Sequence, residues 1–199
     1  MSVQLDATPV RGRPRDERAD VAIAAALLAL LEEAGYAAVT MGAVAARAGV
    51  SKATLYRRHG SKAELVFATV IHGRTLETPD TGTLRGDLRL LGQRIVADVG
   101  SPAAAGAIPG LLADLALDPL LRARFQESFI ASEQSVIAEL LGRARVRGEL
   151  AAAADPDLVH ALLLGSIFAS LFLLDLSGTD ALGERLAALT ATAVERPRP

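Results

Sequence analysis

Two helix-start signals with a glycine between them constrain this chain most. Thr40 precedes the helical stripe Met41, Val44, Ala45 and Ala48, and Ser51 precedes a second stretch carrying Leu55 and Tyr56. A side-chain oxygen just ahead of a helix satisfies amides that the helix leaves unpaired. Ala45 is small enough for a second helix to cross close by, and Gly49, four positions on, tolerates the positive φ of a tight turn. Val44, Ala48, Val50 and Leu55 are spaced to tie the pair to a support. Any one of these features recurs in ordinary helical hairpins. Together they describe a helix-turn-helix, whose second helix presents Ser51, Lys52, Thr54, Tyr56, Arg57 and Arg58 outward.

The charge distribution adds to this pattern. The net charge is −2, but residues 1–75 hold 10 Lys and Arg against 7 Asp and Glu, a balance of +3, which leaves −5 for residues 76–199. From Met41 to Ala63 there are five cations (Arg47, Lys52, Arg57, Arg58, Lys62) and no acid. A basic patch on an acidic chain points to a polyanion met at one place; the plain alternative is a solvated surface. Residues 1–15 read as a flexible basic arm, broken by Pro9, Gly12 and Pro14. Its Arg11 and Arg13 suit a narrow minor groove, or else a tail with nonspecific attraction only.

The rest of the chain reads as helices. Ala and Leu dominate the apolar residues, and no strand-like alternation of useful length occurs. Helices are expected from about Asp16 to Gly35, across Ser61–Leu76, Leu84–Val99 and Ala103–Leu117, from Asp118-Pro119 to Arg147, from Asp155-Pro156 to Leu176, and from a cap at Asp180 to Val194. The expected fold is all-α with about nine helices: a three-helix helix-turn-helix domain over residues 16–62 and a helical ligand-binding and dimerisation domain over 63–196. The absence of cysteine excludes disulfides, thiolate metal sites and thiol catalysis. His59, His72 and His160 are scattered, and no phosphate loop, dinucleotide-binding loop or nucleophile elbow is present. No cofactor, metal site or enzymatic activity is expected. No leader is visible, and the apolar run Ala161–Leu174 is short for a bilayer span, so a cytoplasmic protein without a membrane partner is expected.

Ala48-Gly49-Val50-Ser51-Lys52-Ala53-Thr54-Leu55-Tyr56-Arg57-Arg58, followed by Ser61-Lys62-Ala63-Glu64-Leu65 and preceded by Gly35-Tyr36, Thr40-Met41 and Val44-Ala45, resembles the N-terminal domain of TetR-family regulators over about Arg11–Phe67. Asp118-Pro119, Arg147-Gly148-Glu149-Leu150 and Asp155-Pro156 resemble a subgroup's C-terminal region more loosely. The resemblance implies an all-α homodimer whose C-terminal domain accepts a small ligand and controls release from double-stranded operator DNA, with repression as the family's default. One departure is His59, where the family usually has Phe or Trp: a neutral imidazole packs there, or it titrates and makes docking depend on pH.

On this reading Lys52 faces guanine at the start of the recognition helix, and Ala53 and Thr54 allow close approach. Tyr56 resembles the family's phosphate-binding tyrosine, with partial packing as the alternative. One of Arg57 and Arg58 meets phosphate. Thr40 and Lys62 lie at helix starts that favour phosphate, and Arg47 is either a contact or plain surface charge. The helix from Asp157 is apolar almost all round, so Leu158, Leu162, Gly165, Ala169 and Phe172, with Leu182, Leu186 and Leu189 of the last helix, suit a four-helix dimer interface. Phe125 and Phe129, with Phe168, either line a cavity for a mainly apolar effector or belong to plain core. A helical small-molecule-binding protein or enzyme that has lost DNA binding is the competing class.

Overall fold

The computed structural model describes residues 13–71, 77–151, 154–176 and 181–195. Arg11, His72, Leu76 and Asp180 lie outside them. Among the described residues there are nine helical rods and no strand beyond an isolated bridge between Leu150 and Glu195. Helix α1 (Arg13–Ala38) begins ahead of the expected Asp16, so Arg13 stands in its first turn rather than in an arm. Pro14 permits this, because the amide it lacks is one that a helix start leaves unpaired anyway. Gly35, at φ 70°, breaks the path where a stop is expected. Helix α2 (Met41–Arg47) and α3 (Lys52–Arg58) follow, and then α4 (Lys62–Val66), which continues as a π-helical turn over Phe67–Ile71.

Ile23, Leu27 and Leu31 of α1 pack with Val44, Ala45, Leu55, Leu65 and Val66 in one core. By length and composition Glu17–Ala38 is apolar enough to cross a membrane, but these three residues are used in that core. Ala107 and Leu111 join it from α6 (Pro102–Leu117), which ties the N-terminal helices to the rest.

A second core joins α5 (Leu84–Val99), α7 (residues 119–146), α8 (Pro156–Phe172) and α9 (Leu182–Val194). Rod α7 is α-helical over Pro119–Phe125, opens into a π-helical turn at Gln126–Ile130, and is α-helical again over Ala131–Val146. Helix α8 ends at Phe172, short of the expected Leu176. There Leu174 N–H reaches back to Ala169 O, Leu176 N–H takes Ser170 O at 2.8 Å, and Asp175 adopts φ 50°. Those bonds close the helix end with a turn that no glycine or proline marks. Helices α5 and α9 cross at Gly92 and Gly183; a Cβ on Gly92 would stand 2.5 Å from Gly183 O. Backbones can approach so closely only where both residues lack side chains.

Asp87 is fully buried on α5 and holds the loop before it. Its Oδ1 accepts from Thr81 N at 2.6 Å and Thr81 Oγ1 at 2.8 Å, and Arg147 stands 3.5 Å from Oδ2. Asp87→Ala strips these donors of their partner, and denaturant unfolding should show a loss of about 3 kcal/mol. A loss within error would mean the network holds nothing.

Candidate nucleic-acid interface

The reading head is built by its caps. Thr40 accepts from Ala43 N at 3.1 Å and Ser51 from Thr54 N at 3.1 Å, fixing where α2 and α3 start. Between them Gly49 takes φ 66°, and Val50 N–H closes the turn on Ala45 O at 3.0 Å. Leu55 alone of α3 is fully buried, and it pins the helix to the core. Ser51, Lys52, Ala53, Tyr56 and Arg57 are exposed, Tyr56 at 53%. Thr54 is partly covered, and its Oγ1 stands 2.9 Å from Ser51 Oγ. Short polar groups and two cations thus form one outward face on a helix narrow enough to lie in a major groove.

The expected cations divide into two groups. Lys52 and Arg57 carry no ion pair among the described residues, and the stem of Lys52 passes over Gly42 of α2. The others are engaged at home. Arg47 makes a bidentate pair with Glu33, with Nη1 2.6 Å from Oε2. Arg58 pairs with Asp20 and is largely covered. Lys62 turns inward, its Nζ 3.9 Å from the Tyr36 ring centre and donating to Tyr36 O at 3.3 Å. In this conformation the Lys62 ammonium braces α4 against α1, because an aromatic face and a carbonyl converge on it. Thr40 is exposed, with its hydroxyl serving the cap.

His59 is the C-cap of α3 and is partly buried. Burial lowers its pKa, opposed by Asp20 and Glu64 and reinforced by Arg58. The folded state therefore binds the proton less readily than the unfolded one. Stability conferred by the neutral ring is present above the ordinary histidine range, near pH 6.5, and is lost as pH falls through it. Thermal melts between pH 5 and 8 should show this loss in the native chain, and His59→Phe should flatten it. Parallel profiles would dismiss the effect.

A cavity of about 420 Å³ opens between α5, α6, α7 and α8. Phe125, Phe129 and Phe168 all line it, and every one of its lining residues is apolar or glycine. Phe67 of the first π turn packs against Phe125 at a tilt and against Phe129 edge to face, with ring centres 4.9 and 5.8 Å apart. The cavity wall thus touches the element that follows the reading head. Two polar ties run the same way. Tyr36 OH donates to Asp114 of α6, and Arg124, beside Phe125, pairs with Glu64. Glu64 in turn accepts from Gly60 N at 2.7 Å, just beyond α3. Burial and the Asp114 carboxylate together push the Tyr36 phenol up, so it stays protonated and donating. These ties leave little trace in the sequence. Their one visible signal is Asp114, a lone acid in an otherwise apolar helix.

The expected dimer residues also divide. Leu158, Leu162 and Leu189 are 63, 50 and 69% exposed, and Gly165 is exposed while also lining the cavity. Ala169, Phe172 and Leu186 are half-covered. Leu182 is buried at 6% inside its own subunit, because the first turn of α9 is drawn in beside the Gly92–Gly183 crossing. Its side chain thus offers a partner almost no surface.

Residues 23–69 match the family of bacterial regulatory proteins described as tetR family, and residues 78–190 match the tetracyclin repressor-like C-terminal domain. Over 164 residues the chain is 39% identical to an uncharacterized HTH-type transcriptional regulator of Mycobacterium tuberculosis, a match spanning 79% of this chain and 80% of that protein. The solved structure of the TetR family transcription regulator SCO0332 superposes with a TM-score of 0.69 at 27% identity, covering 90% of this chain and 100% of the other. That of the flavonoid-responsive regulator FrrA gives 0.58 at 26%, covering 92% and 100%.

Proposed function

The chain belongs to the TetR family of transcriptional regulators, and on that premise we propose that it is a dimeric repressor that leaves a palindromic operator when a small apolar effector enters its C-terminal cavity. The observation that carries this reading is α3 itself, anchored by Leu55 alone and free along the face that bears Lys52, Tyr56 and Arg57. In the proposed complex Lys52 reads a base edge, Ala53 and Thr54 lie against the groove floor, and Tyr56, Arg57, Thr40 and Ser51 hold phosphates. Arg47, Arg58 and Lys62 reach DNA only by leaving Glu33, Asp20 and Tyr36, which makes them weaker contributors. Arg11 and Arg13 extend the footprint to an adjacent minor groove. The division of labour runs as an arm ahead of α1, a reading head from α1 to residue 62, and 63–196 for the sensor and dimer.

The exposed leucines of α8 and α9 support a two-fold dimer, which sets two α3 helices one turn of DNA apart, about 34–36 Å, or a multiple of that. Effector binding need only favour a conformer in which this spacing misfits. Phe125–Phe67 and Arg124–Glu64–Gly60 give it a path from the cavity wall to the end of α3. The FrrA likeness supports effector control, since that regulator is described as flavonoid-responsive.

Fluorescence anisotropy with DNA from upstream of the gene tests the reading. Saturable, salt-dependent binding is expected. Lys52→Ala should cost about 1–3 kcal/mol and relax specificity at one base pair, whereas Arg57→Ala should weaken all sequences alike and lower the salt slope by about one. Binding that neither saturates nor responds to salt would favour a helical binding protein without a DNA role.

A further inference from the structure

The large cavity reaches the surface on one side. Of its lining residues only Leu112 of α6 and Ala161 and Gly165 of α8 are exposed; the others are buried or half-covered. Its mouth therefore lies against the outer side of α8. Residues three and four apart share a face of a helix. Leu158, Leu162, Gly165 and Ala169 form one such stripe, the face that suits the dimer. Ala161, Gly165 and Phe168 form the adjoining stripe, which is cavity wall. Gly165 belongs to both, so the mouth runs without a break into the surface that a second copy covers.

Two further observations argue that this rim is covered. No Lys, Arg, Asp or Glu stands between Asp157 and Asp175, yet Leu158, Leu162 and Leu173 are exposed there. Contiguous exposed leucine without charge marks a contact surface. Gly165 is the second observation. Glycine is a poor helix former, and its own subunit makes no use of the missing side chain. Its φ is not positive, and an added Cβ would meet nothing within 4 Å. Across an interface the same residue lets another helix approach closely, as Gly92 and Gly183 do within the subunit. Gly142 is equally open, but exposed Glu139 and Arg145, three residues to either side, mark a solvated face there.

We propose that the second copy completes the effector site: across the two-fold interface a helix of each subunit closes the mouth of the other's cavity beside Gly165. This rests on the reading of the cavity as the effector site. A two-fold contact is the same on both sides, so each dimer holds two closed sites and a lone subunit holds one open site. An apolar molecule in the open site leaves its outer edge in water. Burying about 60 Å² more of apolar surface at closure corresponds to about tenfold in affinity. The coupling is reciprocal: occupancy of both sites tightens the dimer by about a hundredfold. Filling the cavity then bears directly on the packing that sets the spacing of the two α3 helices.

The test titrates the full chain with N-phenyl-1-naphthylamine, an apolar dye that brightens out of water. The native dimer should bind one dye per subunit. Leu162→Asp with Leu189→Asp separates the subunits by changing two residues that do not line the cavity. This monomer should bind the dye about tenfold more weakly, with a cooperative melt certifying its fold. Leu158→Asp with Leu189→Asp gives a second monomer should the first fail to fold. Leu112→Trp, at the mouth but on α6, should obstruct the dye in the native dimer and so place it in the cavity. A folded monomer that binds as tightly as the dimer, while Leu112→Trp still blocks, overturns the closure and leaves the cavity reading standing. Variants that stay dimeric by sedimentation also overturn it, because α8 then lies outside the interface. If the native chain binds no dye, or Leu112→Trp changes nothing, the cavity reading fails and the closure with it.

Discussion

Replacing Leu162 and Leu189 together with aspartate is expected to leave a folded monomer that binds operator DNA about a thousandfold more weakly than the native chain. Both side chains project from their own subunit, at 50 and 69% exposure, so the substitution removes little intramolecular packing. In a two-fold interface each change places a charge against its own copy, where burial without a partner is prohibitive. A lone reading head then has one half-site, and what remains is close to nonspecific affinity, which lies about three or more orders of magnitude below specific binding. Sedimentation velocity and anisotropy on the same sample check both halves of the statement. A variant that stays dimeric would remove α8 and α9 from the interface, and a monomer with native affinity would remove the need for a dimer at all.

The second large effect is on stability. Gly92→Val should lower stability by about 3 kcal/mol or more, since overpacking a site whose opposing atoms are backbone leaves no side chain free to yield. The Cβ alone would stand 2.5 Å from Gly183 O and 3.2 Å from Ala187 Cβ. In a chain of this size that corresponds to a fall in Tm of about 6–12 °C. Helix α9 carries Leu189, so the dimer should weaken in step. Gly142→Ala, on α7 with nothing near the added Cβ, should by contrast be neutral or slightly stabilising. Similar melts for the two variants would mean that the crossing is not a constraint.

The contrast between these glycines shows what the sequence discloses and what it withholds. The caps at Thr40 and Ser51, the left-handed turn at Gly49 and the single anchor at Leu55 are local instructions, each readable from a residue and its near neighbours. The outward face of α3 follows from them by helical period alone. The apolar wall of Phe125, Phe129 and Phe168 was foreseeable as an alternative, since two aromatics four apart share a helix face, but whether they enclose a cavity or fill one depends on α6. Partnership across long separations was not legible. The turning of Lys62 to Tyr36, the pairing of Arg58 with Asp20, and the burial of Leu182 depend on where distant helices come to lie. The helix end at Phe172 was hidden because its turn is made by Leu173–Leu176 and a left-handed Asp175, none of which is a usual terminator.

Two copies of α3 are expected to lie in successive major grooves with Lys52 at a base edge. Dimethyl sulfate reports guanine N7, a major-groove atom, and so tests it directly. Two symmetric sets of protected guanines, about 10 base pairs apart or a multiple of that, are expected with the native chain, and Lys52→Ala should restore reactivity at one position in each half-site. Full reactivity at every guanine of a saturated operator, or protection of a single set with no two-fold mate, would contradict it.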